Sequence, residues 1–311
     1  RSAKLIDNPV GTACGFRIKL CGSWMYFTPG VPHEFKRMME QEIVPDIKAN
    51  YHIESIFKLK RLHCIGIAES RLDGLLKDVH LPQSVKLGFR AHLPTIEIKI
   101  MGHGQVAEAL GHQLTRVADA IREKLGASIL WEDDGSLQAL IQETMIARGH
   151  TLALAESCTG GMIADQLVGL AGSSAYFDRG FVTYTNEAKH EMIGVATALI
   201  EQHGAVSAEV AEAMALGAQR TAGVSHALSV TGIAGPGGGS EAKPVGTVAF
   251  GLATPDAVYV QVMRAPAWGR SRIRTISAAI SLDMLRRDLM GLSPFGSYDL
   301  TRTLSSYRTS R

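Results

Sequence analysis

Between residues 136 and 290, short apolar runs alternate with long amphipathic ones, and this alternation limits the fold more than any other feature of the chain. Leu137 to Arg148 has helical spacing and stops near Gly149, a common place for a helix to end. TLALA (151–155) reads as a buried strand, GGMIADQLVGL (160–170) as a helix and RGFVTYT (179–185) as a strand. SAEVAEAMALGAQRTA (207–222) reads as a helix with Ser207 as its N-cap. HALSVTGIAGPGGGS (226–240) is a strand running into a glycine loop. GTVAFGLATP and AVYVQVMRA form a hairpin-like pair, and GRSRIRTISAAISLDMLRRDLM (269–290) is a long final helix. Strands alternating with helices predict an α/β fold, a three-layer α/β/α sandwich, and the hairpin makes its sheet mixed.

Two smaller pieces precede this domain. Residues 51–132 run strand, helix, strand, strand, helix, strand: HIESIFKLKRL, AESRLDGLLKDV, SVKLGFRAHL, TIEIKIMG, QVAEALGHQLTRVADAIREKLG and SILWE. That order predicts a small α+β domain of KH-like topology. A KH domain that binds nucleic acid clamps its backbone with a GxxG loop. Residues 51–130 hold only GHG (Gly102, Gly104), so a spacer or dimerisation domain is expected and no nucleic-acid partner. Residues 1–50 show two turn clusters, NPVGTACG and TPGVPHEF, and a helix from Glu34 to Met39. They have too little apolar sequence for a core of their own and read as the end of a larger α/β domain whose front is absent. The polar, serine-rich stretch 291–311 is expected to be disordered.

Composition excludes several function classes. The 32 Lys and Arg against 30 Asp and Glu leave a net charge of +2, which Arg302, Arg308 and Arg311 against Asp299 account for. A neutral body argues against a general nucleic-acid binder. Four cysteines (Cys14, Cys21, Cys64, Cys158) make no CxxC pair, which suits a reducing cytoplasm and gives no zinc framework. No apolar run approaches the ~18 residues of a membrane span. HExxH, the zinc-deaminase signature and GxSxG are all missing, so no metal is expected. His33, His63, His103 and His226 read most simply as surface or core residues.

Four segments of the large domain can carry chemistry. In ESCTGG (156–161) a strand hands over to a helix, and Gly160 and Gly161 leave backbone N–H groups uncovered for an anion or oxyanion. Ser157 or Cys158 then stands beside a positive helix end. The plainer reading is that Ser157 and Thr159 only cap the helix. In YTNEAK, Tyr184 ends a strand and Lys189 reaches back over the same sheet edge. A desolvated lysine can lose its proton and activate a serine, whereas a solvated one is only surface. TGIAGPGGGS (231–240) is glycine-rich beyond the needs of a connector and lacks the lysine of a Walker A loop, so it is a flexible loop or one that approaches a ligand closely. WGRSRIR (268–274) opens a helix with three arginines. They are plain exposed charges or an anchor for an anionic group such as phosphate.

Together ESCTGG, YTNEAK, TGIAGPGGGS with KPVGTV, and GRSRIR resemble the signature of the CinA C-terminal domain, over residues 136–290. NPVGTACGF with FTPGVPHEFKRMM resembles the end of the molybdopterin-binding-like CinA N-terminal domain, and residues 51–132 resemble the KH-like CinA linker. The resemblance implies a nicotinamide-nucleotide amidase of pyridine nucleotide recycling, which hydrolyses nicotinamide mononucleotide to nicotinate mononucleotide and ammonia without a cofactor. The residues fit such a reaction, which needs a nucleophile, a proton shuttle, an oxyanion site and a phosphate anchor. Ser157 is the expected nucleophile, with Cys158 its rival. Lys189 takes the proton and Tyr184 assists. Thr231 with N–H groups near Gly160 and Gly232 steadies the oxyanion. Gly161 and Gly235 line the substrate, and Arg270 with Arg274 holds the phosphate. The alternative is a non-catalytic nucleotide-binding protein tied to competence or DNA damage. The remaining apolar surface predicts a homodimer.

Overall fold

A computed structural model describes residues 3–51 and 55–311. Two units emerge, Arg1–Phe57 with His103–Ala107, and Lys58–Gly102 with Glu108–Arg311. The first holds an antiparallel meander of β1 (Lys4–Ile6), β2 (Gly15–Leu20) and β3 (Ser23–Phe27), followed by α1 (Pro32–Met38), a π-helical turn (Met39–Ile43) and α2 (Val44–Asn50). The turn clusters lie between these elements, but the strands they separate escape a reading of the sequence. Pro32, with φ already set for a helix, starts α1 ahead of Glu34. The unit's buried core is small: Ile6, Met38 and Ile43, with Tyr26, Met39 and Ile47 against them.

The second unit has two parts, and the outermost residues of β4, β6 and α4 fall in the first unit. One comprises β4 (Ile56–Ile65), α3 (Glu69–Leu76), β5 (Val85–His92), β6 (Thr95–Gly104), α4 (Ala107–Leu125) and β7 (Ile129–Glu132). The elements follow the expected order; of HIESIFKLKRL, His52 to Glu54 lie outside the described residues. The sheet order β5-β6-β4-β7 is that of a split β-α-β arrangement. Period-two alternation gives the sheet two unlike faces. Leu62, Cys64, Ile96, Ile98 and Ile100 meet Leu72 and Leu76 of α3 and Leu114, Val117 and Ile121 of α4. The opposite face carries Arg61, His63, Arg90, His92, Glu97 and Lys99.

The other part is the α/β/α sandwich. It comprises α5 (Leu137–Ala147), β8 (Leu152–Glu156), α6 (Met162–Val168), β9 (Phe177–Val182), α7 (Asn186–Ile193), α8 (Thr197–His203), α9 (Ala208–Ala222), β10 (His226–Gly232), β11 (Thr247–Ala253), β12 (Ala257–Arg264), α10 (Arg270–Leu289) and β13 (Arg302–Ser310). The sheet order is β13-β12-β11-β10-β8-β9, with β10, β8 and β9 parallel and the other pairs antiparallel. Leu152, Leu154, Leu228 and Val230 face α5, α6 and α10. Ala153, Ala155 and Ala227 face α9, where small side chains let helix and sheet approach closely. Ser207 caps α9, its hydroxyl accepting from Val210 N–H at 3.2 Å.

The tail departs from expectation. Residues expected to be disordered form β13, registered along β12 from Ala257↔Ser310 to Arg264↔Arg302. An edge strand gains its backbone bonds without apolar side chains, so the polar sequence hides it. Ahead of it, Tyr298 is buried and donates to Asp283 Oδ2 at 2.7 Å. Asp283 is also held by Arg286 at 2.8 Å and Arg287 at 3.0 Å. Asp299 accepts from Ala68 N–H at 3.1 Å and pairs with Arg71, tying the tail to the start of α3. Among the described residues no helix is long and apolar enough to cross a membrane.

Candidate active site

Three parallel strands, β10, β8 and β9, end side by side, at the edge where open α/β sheets bind ligands. Ser157 lies one residue past β8. Its N–H donates to Val230 O at 2.9 Å, and Thr183 N–H donates to Glu156 O at 2.8 Å, so the turn is pinned between both neighbours. Alternation sends Glu156 toward α6 and Ser157 toward α7.

Glu156 was not singled out by its sequence and proves central. Its buried carboxylate accepts from Gly161 N–H at 2.9 Å, Ile163 N–H at 3.2 Å and Ala164 N–H at 2.9 Å. It is therefore Glu156, and neither Ser157 nor Thr159, that caps α6. This corrects the expected role of the glycines. Gly160 N–H donates to Ser157 O at 3.1 Å and Gly161 N–H is spent on Glu156, so neither is free for an oxyanion. With φ of 58° and 91° the two glycines make a left-handed turn, which starts α6 at Met162 instead of residue 160. Among the described residues the N–H groups of Cys158 and Thr159 make no bond to another residue. Arg274 binds the carbonyls of the same two residues, Nε to Cys158 O at 3.1 Å and Nη2 to Thr159 O at 2.7 Å. Arg274 thus clamps the turn and is not a free phosphate anchor.

Lys189 sits on α7, which Thr185 caps by accepting from Ala188 N–H at 3.1 Å. The side chain is 1% exposed. Nζ stands 3.3 Å from Ser157 Oγ, 2.9 Å from Thr183 O, 3.5 Å from Tyr184 O and 3.4 Å from Thr185 O. Burial lowers its pKa from 10.5, partly opposed by Cys158 and Glu187. A neutral amine has two N–H groups for the carbonyls and one lone pair, which leaves the lone pair for the Ser157 hydroxyl.

Cys158 is buried against the core, and burial pushes its thiol up to about 12. Arg274 and Lys189 pull the other way without offsetting the burial, so the thiol lacks the accessible setting of a reactive one. Gly232 is required beside it, since a Cβ there would lie 3.0 Å from Sγ and 2.8 Å from a Val248 methyl.

The remaining expected residues divide. Thr231 is brought alongside Ser157 by register, one residue past Val230↔Glu156. Its hydroxyl, however, donates to Ala205 O at 2.8 Å, so it is not a free donor to an oxyanion. Tyr184 lies past the end of β9, not within it, and is 57% exposed. Its hydroxyl accepts from Arg270 Nη2 at 2.8 Å, away from the lysine amine, which meets only the Tyr184 carbonyl. Arg270 Nη1 donates to Gly235 O at 3.0 Å. The arginine therefore bridges the loops after β9 and β10 and keeps N–H donors to spare. Thr183, unremarked in the sequence, is buried beside Lys189 with an unpartnered hydroxyl. Among the described residues no cluster of three or more His, Cys, Asp or Glu could hold a metal.

The turn therefore brings together a serine hydroxyl, a buried amine within hydrogen-bond reach of it, and the N–H groups of Cys158 and Thr159, with Arg270 bridging the neighbouring loops. Comparison with known proteins gives this arrangement a family. Residues 134–289 match the CinA C-terminal domain, and residues 59–130 match the damage-inducible protein CinA KH domain. A CinA-like protein of Shewanella denitrificans is 44% identical over 98% of this chain and 71% of its own length. The Shewanella oneidensis protein named nicotinamide-nucleotide amidohydrolase PncC is 46% identical over 93% of this chain and 68% of its own length. Among solved structures, the competence/damage inducible protein CihA of Agrobacterium tumefaciens is 45% identical, covering 50% of this chain and 96% of that one at a TM-score of 0.47. With both of its domain matches in order and relatives of this identity, the chain belongs to the CinA family.

Proposed function

We propose that the protein is an amidohydrolase that converts nicotinamide mononucleotide to nicotinate mononucleotide and ammonia. The observation that carries this reading is the buried Lys189 amine 3.3 Å from the Ser157 hydroxyl. A relative named for this activity supports the substrate.

In the proposed reaction, Ser157 Oγ attacks the carboxamide carbon while Lys189 accepts the hydroxyl proton. The N–H groups of Cys158 and Thr159 receive the oxyanion, in place of the glycines and Thr231. The C–N bond breaks as Lys189 passes its proton to the leaving nitrogen, and ammonia departs from a serine ester. Water then attacks the ester while Lys189 takes its proton, and Lys189 returns that proton to Ser157 Oγ as the ester C–O bond breaks, which frees the serine hydroxyl and the carboxylic acid. Arg270 binds the phosphate, and Tyr184 orients Arg270 instead of serving the proton transfer.

Ammonia release from nicotinamide mononucleotide tests the reading, with wild type beside Ser157→Ala. Release by the wild type alone supports it. A folded wild-type protein that releases no ammonia refutes it.

A further inference from the structure

One cavity is lined by neither Ser157 nor Lys189. It encloses about 560 Å³ between the open face of the β5-β6-β4-β7 sheet and helices α5, α6 and α10. That volume is within the ~300–1,000 Å³ typical of ligand pockets. We propose that this cavity is a nucleotide site, which takes a nucleoside 5′-monophosphate by stacking its base and pairing its phosphate.

Three observations carry the proposal. First, His63 and Trp131 line the cavity and stack on each other, with ring centroids 4.6 Å apart and planes within 13°. Each ring covers one face of the other, and a flat heterocycle can continue the stack on an outer face. Burial pulls the His63 imidazole below its ordinary range, further favouring a neutral stacking ring.

Second, the same wall carries an arginine without an ion pair among the described residues. Arg90 faces Glu97 across the β5–β6 register but makes no ion pair among the described residues. Glu97 is held instead by Arg61 at 3.2 Å and Lys99 at 3.6 Å, so its own charge is neutralised. Arg90 and His92 lie on one strand with one residue between them, both on the cavity side and both exposed. A guanidinium and an imidazole so placed suit a phosphate.

Third, the opposite wall offers amides. Gln138 of α5 and Gln166 of α6 meet at 3.2 Å, and both line the cavity. Amides can donate to and accept from the edge of a base or the hydroxyls of a ribose. The helices also close that side, which favours a single nucleotide over a nucleic-acid strand.

The test is calorimetric and needs no turnover, and its Arg270→Ala arm separates this cavity from the Ser157 turn. AMP, inorganic phosphate and a short single-stranded RNA are titrated separately into the intact wild-type chain. AMP is also titrated into Arg90→Ala/His92→Ala and into Arg270→Ala. The proposal expects AMP to bind, with affinity at least tenfold weaker in the Arg90→Ala/His92→Ala protein and unchanged in Arg270→Ala. It expects phosphate alone to bind far more weakly than AMP. No AMP binding to a folded wild type overturns it. So does AMP binding that survives Arg90→Ala/His92→Ala, or that is lost in Arg270→Ala, which would put the nucleotide at the Ser157 turn. Phosphate binding as tightly as AMP would mark a bare anion site, and RNA binding in preference to AMP would mark a strand-binding face; either overturns it.

Discussion

Lys189 Nζ lies 3.3 Å from Ser157 Oγ, and its other neighbours within bonding distance are the backbone carbonyls of Thr183, Tyr184 and Thr185. No carboxylate lies within bonding distance of the amine, and burial outweighs the pull of Cys158 and Glu187, which favours the neutral form that the proposed base needs. Lys189→Met should cut kcat by roughly 10²–10⁴, the usual worth of a general base. The wild-type rate should climb with pH through an inflection below 10.5, since the neutral amine is the active form. A residual Lys189→Met rate that kept this inflection would assign it elsewhere.

The same burial predicts how stability depends on pH. The folded-state pKa of Lys189 is lowered and the unfolded value is 10.5, so between the two the unfolded chain binds more protons. Lys189 therefore makes stability rise with pH across that window and lowers it below. Lys189→Met should flatten this slope and unfold at a higher urea concentration than wild type at neutral pH. Parallel slopes for both proteins would contradict it.

Ser157 and Cys158 are adjacent but differently placed. Ser157→Ala should abolish measurable ammonia release from nicotinamide mononucleotide. Cys158→Ala should keep activity within a few-fold, and iodoacetamide should inactivate the native protein slowly, because the thiol is buried and titrates only at about 12. Fast alkylation with loss of activity would restore the thiol as nucleophile.

Glu156 accepts from three backbone N–H groups with two oxygens. In Glu156→Gln one oxygen becomes an NH₂ facing donors. The loss should be about 1–3 kcal/mol of stability, the cost of leaving buried polar groups unsatisfied. Since the same turn holds Ser157, kcat should fall as well. Thermal unfolding and turnover on one preparation check both, and a drop in neither would mean that the cap is dispensable.

Arg270 should discriminate by phosphate. Arg270→Ala should raise KM for nicotinamide mononucleotide about 10–100-fold, in line with one lost charge-assisted contact. It should barely alter the reaction of nicotinamide riboside, which has no phosphate. Equal losses on both substrates would give Arg270 a structural role, through its bonds to Gly235 and Tyr184.

Much of this was legible in the sequence because it rests on periodicity and local chemistry. The alternation after residue 136, the strand–helix order of residues 51–132 and the Ser207 cap are of that kind. What escaped depends on tertiary partners. The expected use of Gly160 and Gly161 failed because Glu156, six residues before α6, supplies the cap from a neighbouring strand end. Thr231 lies beside Ser157, but a carbonyl at Ala205 claims its hydroxyl. β13 has no apolar stripe to betray it, since it leans on β12 through its backbone. The meander of β1 to β3 was masked by the turns that build it.

The bond between Ala68 and Asp299 spans 231 residues of chain. Closing a loop of that length costs about 5 kcal/mol of chain entropy beyond a length-independent constant. A contact so distant forms only after the nearer pairings have drawn its partners together. The clasp at Asp299 and the β13 edge should therefore assemble late and open early. Amides of β13 would exchange with solvent ahead of those of β10, leaving the paired strands around Ser157 as the more persistent part of the sheet.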